Sequence, residues 1–462
     1  MRTLTSSAPL ALAGLLLAGC SMTPQLTKPE LPLPASYSST LAATGSAVDA
    51  LWWQRFGSAE LDALMSEALT ANRDLAAAAL RIEQSRASAR AARAGLLPSV
   101  DASASATTTR RSSEAGSTLS DNGRVTSSSQ SDSASLRASY ELDLWGGNAA
   151  SAAAARARLQ SSLYSRDALA LTLQGDVANN YFSALALKDR IRLTEQNRDA
   201  ATELLRLVQL RFDNGAANGL ELAQQRTTLL GIEASLPSLR QSLLLTETAL
   251  AVLLGRAPGG FAISGSTLAG ISIPAIAPGT PASLLTQRPD LRAAEASLAA
   301  ANADIGVARA ALLPNVALSA SAGIDGLLTS GSSTLLSLAA SLSQSVFNGG
   351  RLQSQVQLAT AQQQELVQNY AQAVLLALKD VEDNLVAVGT GEARTTLLRQ
   401  STEQAQLAYR LALIRYEAGA DDLLTLLDAQ RSRLNAEDSL VQAQLASQNA
   451  AVGLFMALGG GF

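Results

Sequence analysis

Two adjacent carboxylates, Asp421 and Asp422, are the sharpest candidates for chemistry in this sequence. They follow Glu417-Ala418-Gly419, with Arg415 and Tyr416 about one helical turn upstream. Close carboxylates repel one another and favour cations or guanidinium partners. At the start of a helix the same pair would instead cap free N–H groups at the positive end of the helix dipole. The two roles are compatible. A second turn, Asp213-Asn214-Gly215 with Asn218-Gly219, carries Arg211 at its start. Arg211, Arg415 and Tyr416 are placed to supply latching contacts, and glycine in each turn permits the positive φ that a tight helical reversal needs.

Most other chemistry is excluded. There is no histidine, and Cys20 is the only cysteine. That removes Ser-His-Asp and Cys-His catalysis, His-Glu-x-x-His zinc sites and cysteine zinc clusters. None of the lysines, Lys28, Lys188 and Lys379, follows a glycine or has a serine three positions earlier. A Gly-Lys phosphate loop and a Ser-x-x-Lys pair are therefore absent. The remaining Asp and Glu read as solvated helical faces, so the chain is expected to be no enzyme and to hold no cofactor and no metal. A formal net charge of −4, without a basic tail, excludes nucleic acid as a partner.

The N-terminus points to a compartment. Arg2 precedes an apolar run, Pro9 to Leu17, shorter than the roughly 20 residues that span a bilayer as a helix, so a cleaved export signal is expected. Leu17-Ala18-Gly19-Cys20 followed by Ser21 resembles the lipobox of bacterial lipoproteins. The resemblance implies acylation at Cys20 and, with Ser21, sorting to the outer membrane. The alternative is an ordinary signal peptide with a chance cysteine, but a lone cysteine in an exported chain cannot close an internal disulfide and flags another use. Pro24 to Pro34 reads as an extended tether.

The elements that must position the two turns are long helices. No proline occurs between Ser99 and Leu236 or after Pro314, and both stretches are rich in Ala, Leu, Gln, Arg and Glu. From Asn148 to Phe212 no strong stop signal appears, which allows a helix of roughly 100 Å. The chain also repeats itself. Ala92 to Val100 matches Ala308 to Val316, Leu144-Trp145-Gly146-Gly147 answers Val346 to Gly350, and Leu210 to Gly215 matches Ile414 to Gly419. The first copy carries about a dozen extra residues between Ser103 and Ser135, Ser, Thr and Gly rich, which read as a longer loop. Two structurally similar halves are expected. Pro237 departs from the repeat and reads as a kink or restart in one helix.

Each half holds two segments that alternate apolar and polar residues. They are Val100 to Ala106 and Leu136 to Leu142, then Val316 to Ile324 and Leu336 to Leu342. Period-2 alternation over about ten residues is the signature of a transmembrane β-barrel, though a soluble hairpin with one buried face gives the same pattern. Four strands cannot close a barrel, and a sheet in lipid tolerates no open edge, so a membrane reading demands partner copies.

In this order the residues resemble the TolC-type outer-membrane efflux proteins, in particular the OprM/NodT lipoprotein branch. The resemblance covers essentially the whole mature chain. It rests on Trp52-Trp53-Gln54-Arg55-Phe56, Tyr140 to Gly146, Gln287-Arg288-Pro289-Asp290-Leu291, Phe347 to Arg351, and Arg415 to Gly419 with Leu424 to Gln430. It implies an α+β membrane protein: a homotrimeric 12-stranded β-barrel, four strands per chain, continued by a 12-helix α-barrel with a mixed equatorial domain. The segments expected are a signal peptide (1–19), a lipidated tether (20–50), N-terminal helices (51–98), a first barrel hairpin (99–145) and long helices (146–254). An equatorial segment (255–281), second-repeat helices (282–314), a second hairpin (315–347) and a second set of long helices (348–458) follow. The two turns then become periplasmic tips. Asp421, Asp422, Arg415, Tyr416 and Arg211 form the gate, while Gly215, Gly219 and Gly419 meet a periplasmic adaptor. The implied role is a passive exit duct for drugs and small toxic compounds, driven by an inner-membrane pump of the resistance-nodulation-division type. Alternatives are a type I protein-secretion outlet or a non-channel coiled-coil envelope lipoprotein.

Overall fold

The computed structural model describes residues 21–27, 29, 31–38, 48–114, 124–328 and 331–461, and excludes side chains at 112–126. Cys20 and the export-signal segment lie outside the described residues. The first series of elements is α1 (Ala59–Ala71), α2 (Arg73–Ala94), β1 (Ser99–Glu114), β2 (Arg124–Leu142), α3 (Gly147–Asp213) and α4 (Gly219–Leu253). After the single turn α5 (Leu284–Gln287) come α6 (Pro289–Ala310), β3 (Asn315–Asp325), β4 (Ser333–Ser343), α7 (Arg351–Glu417) and α8 (Leu423–Ala457). The duplication shows in helix length: α2 and α6 have 22 residues each, α3 and α7 67, α4 and α8 35. The offset is 216 at α2 and α6 (289 − 73) and 204 at α3 and α7 (351 − 147).

Two expectations need correction. Much of the Ser, Thr and Gly rich insert is strand, since β1 and β2 run for 16 and 19 residues against 11 each in β3 and β4. Thr107 to Thr109 are β-branched, and the hydroxyls of Ser103 and Ser105 bond those of Ser135 and Ser133 at 2.9 and 3.0 Å across the pair. Second, α4 passes through Pro237 without restarting. The two similar halves do not coincide with the compact units. One compact unit comprises 1–29, 82–161 and 294–369, the other 30–81, 162–293 and 370–462, so each draws on both copies.

The first unit holds the sheet, an antiparallel meander in the order β1-β2-β3-β4. Register places Val100 opposite Ala138, Leu136 opposite Ala322, and Ala320 opposite Leu338 on one face. That face is apolar and bare, with Leu336, Leu338 and Leu342 between 71% and 86% exposed. The other face carries Ser103, Ser135, Ser319, Ser321 and Ser337, with Ser321 and Ser337 bonded at 2.7 Å. Leucines left bare to water forgo their burial energy, and a bilayer is the medium that covers such a face. No helix among the described residues is long and apolar enough to cross a membrane. At the exit from β2, the Asp143 carboxylate accepts from the N–H groups of Asn148 (3.0 Å) and Ala149 (2.7 Å) and so caps α3. Trp145 donates its Nε1–H to the Pro314 carbonyl at 2.7 Å, so two of the repeat motifs meet at the base of the sheet.

The core of the second unit explains the Trp-Trp-Gln-Arg-Phe segment. Trp52 is fully buried, stacks on Phe455 at 5.0 Å and donates to Gln174 Oε1 at 3.1 Å. The irregular stretch 255–281 is fastened by side chains instead of a ladder. Glu60 accepts from the N–H groups of Ser264 and Gly265 at 2.5 and 2.8 Å, and Asp189 accepts from that of Leu268 at 2.8 Å. Arg288, only 13% exposed, reaches Asp290 at 2.8 Å, Asp380 at 3.3 Å and the Ala457 carbonyl at 3.3 Å. The Arg-Pro-Asp motif is thus a clamp between the start of α6, α7 and the end of α8.

A charge on the bare sheet face separates the two readings of the strands. Leu338→Arg should cost about 2–4 kcal/mol in a bilayer and lower the yield of heat-resistant protein in the membrane fraction. Ser337→Arg, on the opposite face, should leave insertion intact; equal effects would contradict a lipid-facing assignment.

Candidate functional site

All eight residues expected at the tips belong to the second compact unit. Each turn is closed by the same backbone device. In the first, Gly215 takes φ 76, its N–H bonds the Phe212 carbonyl at 3.0 Å and Ala216 N–H reaches the Arg211 carbonyl at 2.7 Å. In the second, Gly419 takes φ 72, its N–H bonds the Tyr416 carbonyl at 3.0 Å and Ala420 N–H reaches that of Arg415 at 2.8 Å. These are Schellman motifs, which end a helix by a left-handed residue and satisfy its last carbonyls. Gly219 differs from the expectation. It is the first residue of α4 and is not among the positive-φ glycines, because Asn218 before it makes the turn into the helix.

The following helices are capped alike. Asn218 accepts from Glu221 N–H at 3.0 Å, and Asp422 accepts from the N–H and hydroxyl of Thr425 at 2.9 and 2.7 Å. Asp422 is therefore the N-cap of α8, and those two bonds hold its carboxyl below the usual range. Asp421 does something else. Arg415 grips it with both prongs, Nε to Oδ2 at 2.6 Å and Nη2 to Oδ1 at 2.8 Å, a fork that clasps the turn across its own mouth. That hydrogen bonding holds the Asp421 carboxyl below the usual range and raises the Arg415 guanidinium.

The two turns are also joined to each other. Arg211, from the first, lies over the Tyr416 ring of the second at 4.6 Å, within cation–π range. Tyr416 is 1% exposed in a cluster with Leu204, Val208, Leu222, Tyr409, Leu423 and Leu426. Its hydroxyl is buried without a hydrogen-bond partner. The sequence groups Arg211, Arg415 and Tyr416 as latches but does not pair them. Thr425, the apolar cluster and the capping role of Asn218 escape it; the correspondence of Asn218 to Asp422 at offset 204 is the signal that could have found that cap. Among the described residues no group of three or more acidic, histidine or cysteine side chains is arranged to hold a metal.

A bare-faced four-stranded sheet, two very long helices and paired closed turns define a channel-forming protein of the outer membrane. The profile of the outer membrane efflux proteins matches residues 64–256 and 280–460. The chain belongs to that family. It is 40% identical over 463 residues to the pyoverdine export outer membrane protein OpmQ of Pseudomonas putida, covering 98% of this chain and 96% of that one. It is 34% identical to the outer membrane protein OprJ of Pseudomonas aeruginosa, covering 98% and 95%. Among solved structures, the open state of the Neisseria gonorrhoeae MtrE outer membrane channel superposes with a TM-score of 0.83 at 29% identity, covering 96% of this chain and 98% of that one.

Removing the left-handed glycine should loosen each turn without dissolving the helices. Gly215→Ala and Gly419→Ala should each cost about 1–2 kcal/mol in backbone strain. Hydrogen exchange at the Ala216 and Ala420 amides should quicken, while exchange in the middle of α3 and α7 stays unchanged.

Proposed function

We propose that three copies of this chain close a twelve-stranded barrel in the outer membrane, continued by a helical tunnel, with Cys20 acylated as a lipid anchor. The observation that carries this reading is the sheet: one face is apolar and bare, and among the described residues the outer edges of β1 and β4 have no partner strand. The chain acts as the passive exit component of a tripartite efflux system and does no catalysis. A periplasmic adaptor and an inner-membrane pump of the resistance-nodulation-division type supply the coupling. The adaptor meets the tips at Gly215, Gly219 and Gly419. At Gly215 an added Cβ would meet nothing within 4 Å, so that turn offers bare backbone to a partner.

The closed state of the tips rests on two contacts per chain. The Arg415–Asp421 fork keeps the α7–α8 turn compact, and the Arg211–Tyr416 stack holds it against the α3–α4 turn. Three copies of Asp421 and Asp422 around the axis make an acidic ring that favours cations. The unpartnered Tyr416 hydroxyl costs the packed state about 1–3 kcal/mol, which separation of the turns would release. That release offsets part of the burial lost when Tyr416 leaves its apolar cluster, which lowers the input the adaptor must supply.

Cargo is a small molecule. Drugs and toxic compounds fit the family at large, and the 40% identity to a pyoverdine exporter favours a secreted metabolite of that kind as a second cargo. A deletion strain screened against a compound panel, with its secreted metabolites measured, separates the two.

Planar-bilayer conductance tests the gate. Wild type should conduct weakly at neutral pH, and Arg415→Ala, Asp421→Asn and Arg211→Ala should each raise the current several-fold. Asp422→Asn should act less, since an amide still caps a helix. The sign with pH follows from Asp421. Its depressed carboxyl stays charged at neutral pH, so the fork is kept there and lost only as pH falls through that depressed value. Current should rise below the usual carboxylate range and stay level between about pH 6 and about pH 8. Variants of Arg415 and Asp421 that conduct like wild type would sink the gate, and a protein that never conducts would sink the channel.

A further inference from the structure

Within the first compact unit the N-terminal segment is docked. Asn302 of α6 donates from Nδ2 to the Pro24 carbonyl at 2.8 Å. A Cβ on Gly306 would collide with Thr23, and one on Gly146 would lie 3.6 Å from the Cα of Ser21. The segment thus lies against Asn302 and Gly306, one turn apart on α6, and Arg309 follows them on the same side of the helix, spaced i, i+4, i+7. A strap that leads to an acyl anchor runs on the outside of a channel, so this face is an outer one.

The duplication puts a twin of that face on α2. Subtracting 216 carries Asn302, Gly306 and Arg309 onto Arg86, Arg90 and Arg93. Where α6 offers an amide and a glycine to the strap and keeps one exposed arginine, Arg309, α2 carries exposed arginines at all three positions. Glu83 pairs with Arg86. No ion pair is described for Arg90 or Arg93, both exposed in the last two turns of α2, which ends at Ala94 just before β1 begins at Ser99. They therefore sit directly beneath the apolar sheet face, at the level where a bilayer meets water.

We propose that Arg90 and Arg93, with Arg86 behind them, dock anionic phospholipid headgroups on the periplasmic face of the outer membrane. A guanidinium presents a rigid fork to phosphate oxygens, and Arg93 and Arg90, about 4.5 Å apart along the axis, can share one headgroup or take neighbours. Basic side chains at such a surface attract anionic lipid by about fivefold each. The strap covers the twin face, so the bare arginines mark the side on which lipid replaces it. This goes beyond the efflux reading and rests on two parts of it, the sheet lying in the membrane and the acyl anchor at Cys20.

The test uses the full-length protein in nanodiscs of equal phosphatidylglycerol and phosphatidylcholine, released into mild detergent for native mass spectrometry. Wild type should retain phosphatidylglycerol over phosphatidylcholine by about fivefold or more. Arg90→Gln with Arg93→Gln should lose that preference while assembling and inserting normally. Arg394→Gln with Arg399→Gln, exposed on α7 far along the chain, should keep it. Inserted wild type that retains both lipids equally overturns the headgroup site and leaves the channel reading standing. So does a double variant with undiminished selectivity, or wild type whose preference is abolished by inorganic phosphate at millimolar level.

Discussion

In hydrocarbon every backbone N–H and C=O must find its partner inside the protein, because no water is there to take its place. This constraint shapes the whole chain. A four-stranded meander with a bare apolar face satisfies the ladder internally and leaves the edges of β1 and β4 open. The edges are tolerable only if each meets the complementary edge of another copy. The proposed closure would in turn fix what lies below: helices that leave a closed ring of strands would themselves stand in a ring.

The passage from strand to helix is where the two copies of the repeat are tied together. Asp143 caps α3, and Trp145 bonds the Pro314 carbonyl, so the exit of one hairpin is locked to the entry of the other. At the opposite ends of α3 and α7 the ties are of a different kind. Schellman glycines, N-caps and one cation–π contact hold the turns. Such contacts are local, and the proposed gate asks such elements to part. The irregular 255–281 stretch falls between these extremes, fastened by Glu60, Lys188 and Asp189.

Much of the architecture was legible because periodicity and proline placement act over long spans. The sustained helix pattern from Asn148 to Phe212 became α3, and the alternation at Leu336 to Leu342 became β4. The Ser and Thr rich insert misled, since composition reads as loop whenever a partner strand is out of view. Tertiary pairing with β2 overrode it. Pro237, read as a kink or a restart, does not interrupt α4, because the helix around it is long enough to carry one missing bond. At the tips, the residue types and the two roles open to the carboxylates were legible, but not which carboxylate takes which. Asp422 proved to be a cap and Asp421 a partner of Arg415, a distinction that depends on which carboxylate stands next to Leu423. Gly219 looked like a turn glycine, but Asn218 does that work.

The mass of the complex extracted from membranes with its sheet intact tests closure most directly. Native mass spectrometry of the full-length protein should give three chains, the number that turns four strands into a barrel of twelve. A monomer that stays inserted with its strands protected from hydrogen exchange would contradict the account, because its two open edges would then be stable in lipid.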